Sequence, residues 1–221
     1  MVSSMACKKW VRQILFLVTS ILFIGCASVE LEERSFPLVA AVGYEDGKIS
    51  YVLGFSRVDG SGENASTSSE IKVKQTYGAS FLESKEDYEG DLNKLVDYNH
   101  LKVLVLEEDL LEVPKLYNEM LEVLVMTEEF PRNTYVCVVD DIEDLMEMEK
   151  TLPQDLGTYL EEYLMHHEKK NEHMVSLGDL LDEKENKELV LFLPYVEAEE
   201  TFVKWHGYYV IGKDVNGYFN E

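Results

Sequence analysis

The sequence predicts an α/β fold of α+β arrangement: a mixed sheet with a central strand-helix-strand crossover, helices packed on the sheet, and a C-terminal antiparallel meander. Two observations carry this. In the centre, the apolar run at residues 101–106 is followed by Leu110, Val113, Leu116, Tyr117, Met120 and Leu124 at helical spacing, and then by a second apolar run at 135–139. A strand, helix and strand of this length imply a right-handed parallel crossover. From Lys187 onward the helical period gives way to the runs ELVLFLPYV, TFVKWHG, YYVIG and GYF, with turns expected at Gly207 and at Asn216-Gly217. Strands following one another so closely pair antiparallel, either closing the sheet or forming a second small one.

Taken in order, the chain opens with Lys8, Lys9 and Arg12 ahead of an eleven-residue run, 14–24, that is apolar apart from Thr19 and Ser20. A bilayer span needs about 20 apolar residues, so this run reads as the short core of a secretory signal. Gly25-Cys26 follows, as at a bacterial lipoprotein cleavage site, with Phe23 where such sites usually carry leucine. We expect a signal peptide at 1–25, lipidation of Cys26, a membrane-proximal tether at 26–37 and a single globular domain at 38–221. An uncleaved amphipathic anchor and an ordinary signal peptide are the alternatives.

Residues 38–44 and 48–55 read as two strands joined at Asp46-Gly47, a tight hairpin signal. In the second, Ile49, Tyr51, Leu53 and Phe55 alternate with Ser50 and Gly54, which predicts one buried face. The stretch DGSGENASTSSE (59–70) is a loop by composition. Residues 71–77 alternate Ile71, Val73, Gln75 and Tyr77 against Lys72, Lys74 and Thr76, which predicts a third strand with its lysine side wet. Ser80 and Glu83 have capping-box spacing before Phe81, Tyr88, Leu92, Leu95 and Val96, so a helix is expected across that span with Gly90 as a weak point. Pro114 fits a first turn and not a helix interior, so residues 107–111 should form a separate turn. A short helix is expected at 142–148. Pro153 then opens an amphipathic helix with Leu156, Tyr159, Leu160, Tyr163, Leu164 and His167 on one face, and Ser176 with Asp179 caps a shorter one.

Charge excludes some functions. With 43 acidic and 20 basic residues the net charge is −23, and the leader holds three of the basic residues and none of the acidic ones. Such a field repels phosphate backbones, so nucleic acid is excluded as a partner, and a polybasic membrane contact is disfavoured. Of the three cysteines, Cys7 lies in the leader, Cys26 is the lipidation site, and Cys137 sits in the β-branched run TYVCVV as a small buried hydrophobe.

Chemistry is sparse. No phosphate-binding glycine loop, EF-hand loop, nucleophile elbow or HExxH occurs. His166, His167, Glu168 and His173 are of metal-ligand type, but adjacent helical residues point about 100° apart, so a solvated helix end is expected there. His100, where a helix hands over to a strand, is expected to satisfy backbone groups. Asp140-Asp141, Glu107-Glu108 and Glu161-Glu162 are adjacent pairs that should splay. We therefore expect no catalytic residue, no cofactor and no metal. Trp205, Tyr208, Tyr209, Tyr218 and Phe219 crowd the last strands, as core or as an exposed docking patch.

Several segments together resemble the N-terminal domain of the Ger(x)C-type spore germination lipoproteins, the C subunits of nutrient germinant receptors. They are FIGC with VELEERSFPLVAAVGYE, then DYNHLKVLVLEEDLL, FPRNTYVCVV and GYYVIGKDVNGYFNE. The family's Trp-Asp after the cysteine is replaced by Ala27-Ser28-Val29, and family members usually continue into a further domain, so the resemblance is to a short, N-domain-only relative or a truncated copy. It implies a non-enzymatic lipoprotein on the extracytoplasmic face of the inner spore membrane, held by lipid through Cys26 and working beside A-type and B-type membrane subunits. The competing class is an extracytoplasmic ligand-binding lipoprotein of an uptake system, which needs two lobes around a cleft.

Overall fold

The run PLVAAVGYE forms strand β1 (Pro37–Glu45), and its first seven residues are all buried. Successive strand residues point to opposite faces, so such continuous burial demands cover on both sides of the sheet. A computed structural model describes residues 33–56, 75–170, 172–186, 189–212 and 215–219. Residues from Ser35 to Glu221 make one compact unit, and of the leading unit, Met1–Arg34, only residues 33 and 34 belong to the described set.

Asp46 (φ 49°) and Gly47 (φ 84°) turn β1 into β2 (Lys48–Phe55), with Glu45 opposite Lys48. Two successive positive φ values make the tight two-residue hairpin whose twist suits antiparallel strands. The second face of β2 is not wet as its alternation predicts: Ser50 and Val52 are as buried as Ile49 and Tyr51. Tyr51 meets Phe81 and Tyr88 of helix α1 (Phe81–Gly90) edge to face, while Gly54, on the opposite face, lies beside Glu149 of helix α4 (Ile142–Glu149). Both faces of the sheet therefore carry helices.

Strand β3 (Thr76–Gly78) corrects the predicted phase. Thr76 points inward, its hydroxyl donating to the carbonyls of Tyr51 and Ser84, and Tyr77 points outward. A side chain with two backbone acceptors in reach is satisfied when buried, and the outward tyrosine keeps its polar tip free for Glu45. Residues 57–74, which hold the expected loop and the start of this strand, lie outside the described residues. In α1, Ser80 caps the amide of Glu83 as expected, but the Glu83 carboxylate reaches back to the amide of Ala79. The helix stops at Gly90, so Leu92, Leu95 and Val96 lie beyond it. Gly90 is therefore the last residue of the helix and not its middle, and Asp91 caps it in right-handed conformation.

The central crossover follows the sequence closely. Strand β4 (Val103–Glu107) leads through α2 (Glu108–Leu111) into α3 (Pro114–Thr127), with Pro114 in the first turn, and then into β5 (Tyr135–Val139). β4 runs parallel to β1 and to β5, with Val103 opposite Val39 and Tyr135. After α4 comes α5 (Leu156–Glu168), which starts three residues later than Pro153 suggests. Then β6 (Val175–Ser176) pairs with the start of β5, and α6 (Leu177–Glu185) opens with the full Ser176–Asp179 capping box.

The C-terminal strands close the same sheet: β7 (Leu191–Ala198), β8 (Val203–Gly212) and β9 (Val215–Phe219). The nine-stranded sheet has the order β9-β8-β7-β5-β4-β1-β2-β3, with β6 on β5. Gly207 is not a turn but the site of a bulge at φ 112° inside a continuous β8, and Asn216-Gly217 lies within β9. A bulge glycine lets the strand keep pairing while it bends, so one long strand replaces two short ones.

Two contacts explain how the layers lock. A Cβ on Gly157 of α5 would stand 2.6 Å from the carbonyl carbon and Cβ of Leu38, so this helix lies directly on the backbone of β1. Between α1 and α3 runs a polar chain. Lys85, almost fully buried, pairs with Glu89 at 2.8 Å and Glu129 at 2.7 Å. The Tyr98 hydroxyl donates to Glu89 at 2.5 Å and meets the Tyr51 hydroxyl at 3.0 Å. Burial pushes the Lys85 pKa down, and the two carboxylates outweigh it, so the ammonium stays charged.

Gly157→Ala should destabilise the fold by about 1–3 kcal/mol or more in denaturant melts, although alanine at an open helical position would stabilise it by about 1 kcal/mol. The Tyr117 hydroxyl is buried without a hydrogen-bond partner among the described residues. Tyr117→Phe should therefore raise stability, whereas Tyr51→Phe, which removes a bonded hydroxyl, should lower it by about 1 kcal/mol. Urea midpoints of the two variants check the opposite signs.

Candidate functional site

Cys26, the expected lipidation site, and its leader lie outside the described residues. Cys137 is fully buried in β5, and burial pushes its thiol up to about 12, so it is protonated and inert at neutral pH. His166 is exposed, His167 leans on Trp205, Glu168 accepts from the Tyr135 hydroxyl, and His173 offers only its backbone amide to Tyr208. Among the described residues no three His, Cys, Asp or Glu side chains converge as metal ligands would.

His100 departs from expectation. Its exposed ring packs edge-on to Phe36 at 5.1 Å, and Asp97 ties the junction instead, accepting from the Asn99 amide and side chain. A carboxylate one turn earlier reaches those amides more directly than an imidazole. The paired carboxylates splay as expected, each to its own task. Asp141 caps α4, Glu108 accepts from Tyr195, Glu161 meets Lys102 at 2.6 Å, and Glu162 accepts from Gln154.

Glu107 was not legible as a special residue. It ends β4, and its carboxylate spans two neighbours, accepting from the amide of Tyr44 at 2.9 Å and of Ile142 at 3.2 Å. Gly43 makes room for this: a Cβ there would collide with Glu107 Oε2 and stand 2.7 Å from Ser50 Oγ. Burial raises the Glu107 pKa, and the two amides pull it back. The arrangement pins a strand end to a helix start and offers no open position to a substrate. Its only sequence signal is an acidic residue closing an apolar strand.

The aromatic cluster divides. Tyr209 is core, Trp205 and Tyr208 are half-buried, and the side chains of Tyr218 and Phe219 lie outside the described residues. The large exposed apolar residues of the C-terminal ribbon are ones the sequence did not single out: Leu189, Val190 and Phe192, the last at 44% exposure, at one end, and Phe202 at 51% in the β7–β8 connection at the other. Phe192 stands edge-on to Tyr208 at 6.2 Å. Phe192 and Tyr208 thus form a small exposed aromatic patch on the ribbon.

Comparison with known proteins bears on what that patch serves. The chain matches the family described as the spore germination protein N-terminal domain over residues 27–198. The match opens one residue after Cys26 and ends at the last residue of β7. No curated protein and no solved structure matches. Because the match takes in most of the chain, from the tether through the parallel core to β7, the chain belongs to the spore germination protein N-terminal domain family.

Proposed function

We propose that this chain is a non-enzymatic lipoprotein of a nutrient germinant receptor, anchored through Cys26 on the extracytoplasmic face of the inner spore membrane and acting by contact with A-type and B-type membrane subunits. Its family gives it a role in spore germination, and that membership is the observation that carries the reading. Three further features support the anchor. Lys8, Lys9 and Arg12 precede the short apolar run, Gly25-Cys26 follows it, and the family match begins at residue 27. Among the described residues no helix is long and apolar enough to cross a membrane. Without the leader's three basic residues the net charge is −26, which anionic headgroups repel, so attachment falls to acyl chains, each buried CH₂ contributing about 0.8 kcal/mol.

The mechanism is one of differential contact. A protein without chemistry of its own changes a receptor's state only by binding one state better than another. The exposed Phe192, edge-on to the half-buried Tyr208, gives that contact an apolar surface. Residues 1–25 are then a removed signal peptide, 26–37 a tether, and 38–221 the domain that reaches the partners.

Cys26→Ala should move the protein from the spore membrane to the soluble fraction and slow nutrient germination. Mass analysis of the wild-type N-terminus should show a lipid-modified Cys26, and pull-down of the wild-type protein should recover the membrane subunits. Unchanged membrane association and unchanged germination in the variant would overturn the reading.

A further inference from the structure

Strands β8 and β9 lie past the family match, which ends at residue 198, yet β8 buries Val203, Tyr209, Val210 and Ile211. Besides its pairing with β7, this ribbon is fastened by one face of α5. Tyr159, Tyr163 and His167 recur every four residues along that helix, one above the other. The Tyr159 hydroxyl accepts from the amide of Val203 at 3.1 Å, and the His167 ring stacks on the Trp205 indole at 4.5 Å and 9°. The segment after α5 closes the circuit. The Tyr208 hydroxyl donates to Glu172 at 3.0 Å and accepts from the amide of His173 at 2.9 Å.

We propose that the His167–Trp205 stack is a proton-sensitive latch that holds the C-terminal ribbon to α5. The geometry gives the reason. Nδ1 of His167 is buried and has no hydrogen-bond partner among the described residues. In the neutral ring that atom is an idle lone pair, at small cost. Protonation turns it into a buried N–H donor with no acceptor, which costs more than in the open form, where water serves it.

The surrounding groups set the balance. Burial, then Lys170, and also His166 oppose the charge, while Glu172 favours it, and together they hold the His167 pKa below its usual value. The C-terminal end of α5 and the indole face favour a cation, and against them stand burial and the absence of an acceptor for Nδ1 among the described residues. From β8 the facing groups are Trp205 and Tyr208, both uncharged; His206 is paired with Glu197. The sign follows. Because the closed form has the lower pKa, the latch is at full strength above the ordinary histidine value of about 6.5. It weakens as pH falls below that value, as the open form takes up the proton first.

This inference does not rest on the lipid anchor or on the germination reading. The chain has two tryptophans, so full-length protein carrying Trp10→Phe reports on Trp205 alone. In detergent, its emission should change with a one-proton midpoint below that of free histidine. Over the same range, the opening constant across residues 203–212, taken from amide exchange after division by the base-catalysed intrinsic rate at each pH, should rise by up to about tenfold per pH unit of acidification. His167→Gln should abolish both responses, and so should His167→Phe, which keeps a ring against the indole, if the glutamine variant does not fold. His166→Gln and His206→Gln should retain them. Flat emission in folded protein, a transition surviving in both His167 variants, a midpoint at or above the free value, or an emission change without a larger opening constant in β8 would each overturn the latch.

Discussion

Burial of β1 and β4 on both faces is the constraint from which the rest of the architecture follows. Seven consecutive residues of β1 and four of β4 are out of water, and each fully buried Val or Leu side chain contributes about 1.5–3 kcal/mol. No single layer supplies that burial. Helix α1 covers the Tyr51 face of the hairpin, α4 comes up beside Gly54 on the other, and α5 descends onto Leu38 closely enough that only glycine fits at position 157. The polar elements then fall where the apolar layers meet. Glu107 locks the end of β4 to α4, and the Lys85–Glu89–Tyr98–Tyr51 chain fills the seam between α1 and α3.

What the sequence made legible are features whose physics is local. Pro114 must open a helix because its ring and missing amide forbid an interior position, and it does. Ser176 and Asp179 satisfy each other's amides within one turn, and the box forms whatever surrounds it. Asp46-Gly47 supplies two positive φ values and sets the hairpin register alone. Local reading fails where a distant partner decides. Thr76 turns inward because carbonyls of β2 and α1 wait for it, and Gly207 stays within a strand because β7 continues to pair on both sides of the bulge.

The same division runs through the candidate site. A cysteine after a short apolar run and a basic segment is a contiguous signal and needs no structure to be seen. Glu107 is different: its partners Tyr44 and Ile142 lie 63 and 35 positions away in the chain. Nothing in DYNHLKVLVLEEDLL distinguishes this carboxylate from its neighbour Glu108. Likewise the cluster of C-terminal aromatics is plain in the sequence, but its split into core, half-buried and exposed members depends on which face of β8 meets α5.

That split bears on the action by contact proposed above. A rigid surface that meets every state of a partner equally well shifts nothing. A useful contact element must be joined to a stable body through attachments weaker than the body itself. The parallel core, locked by backbone-deep packing at Gly157 and by charged pins, is a poor candidate for movement. The ribbon beyond β7 is a better one. Its outer strand β9 pairs only with β8 among the described residues, and its fastening to α5 depends on the Tyr159 hydroxyl and on one imidazole whose buried nitrogen has no partner among those residues. The most changeable attachments in the described chain thus sit beside its exposed aromatic surface, which is the arrangement that action by contact requires.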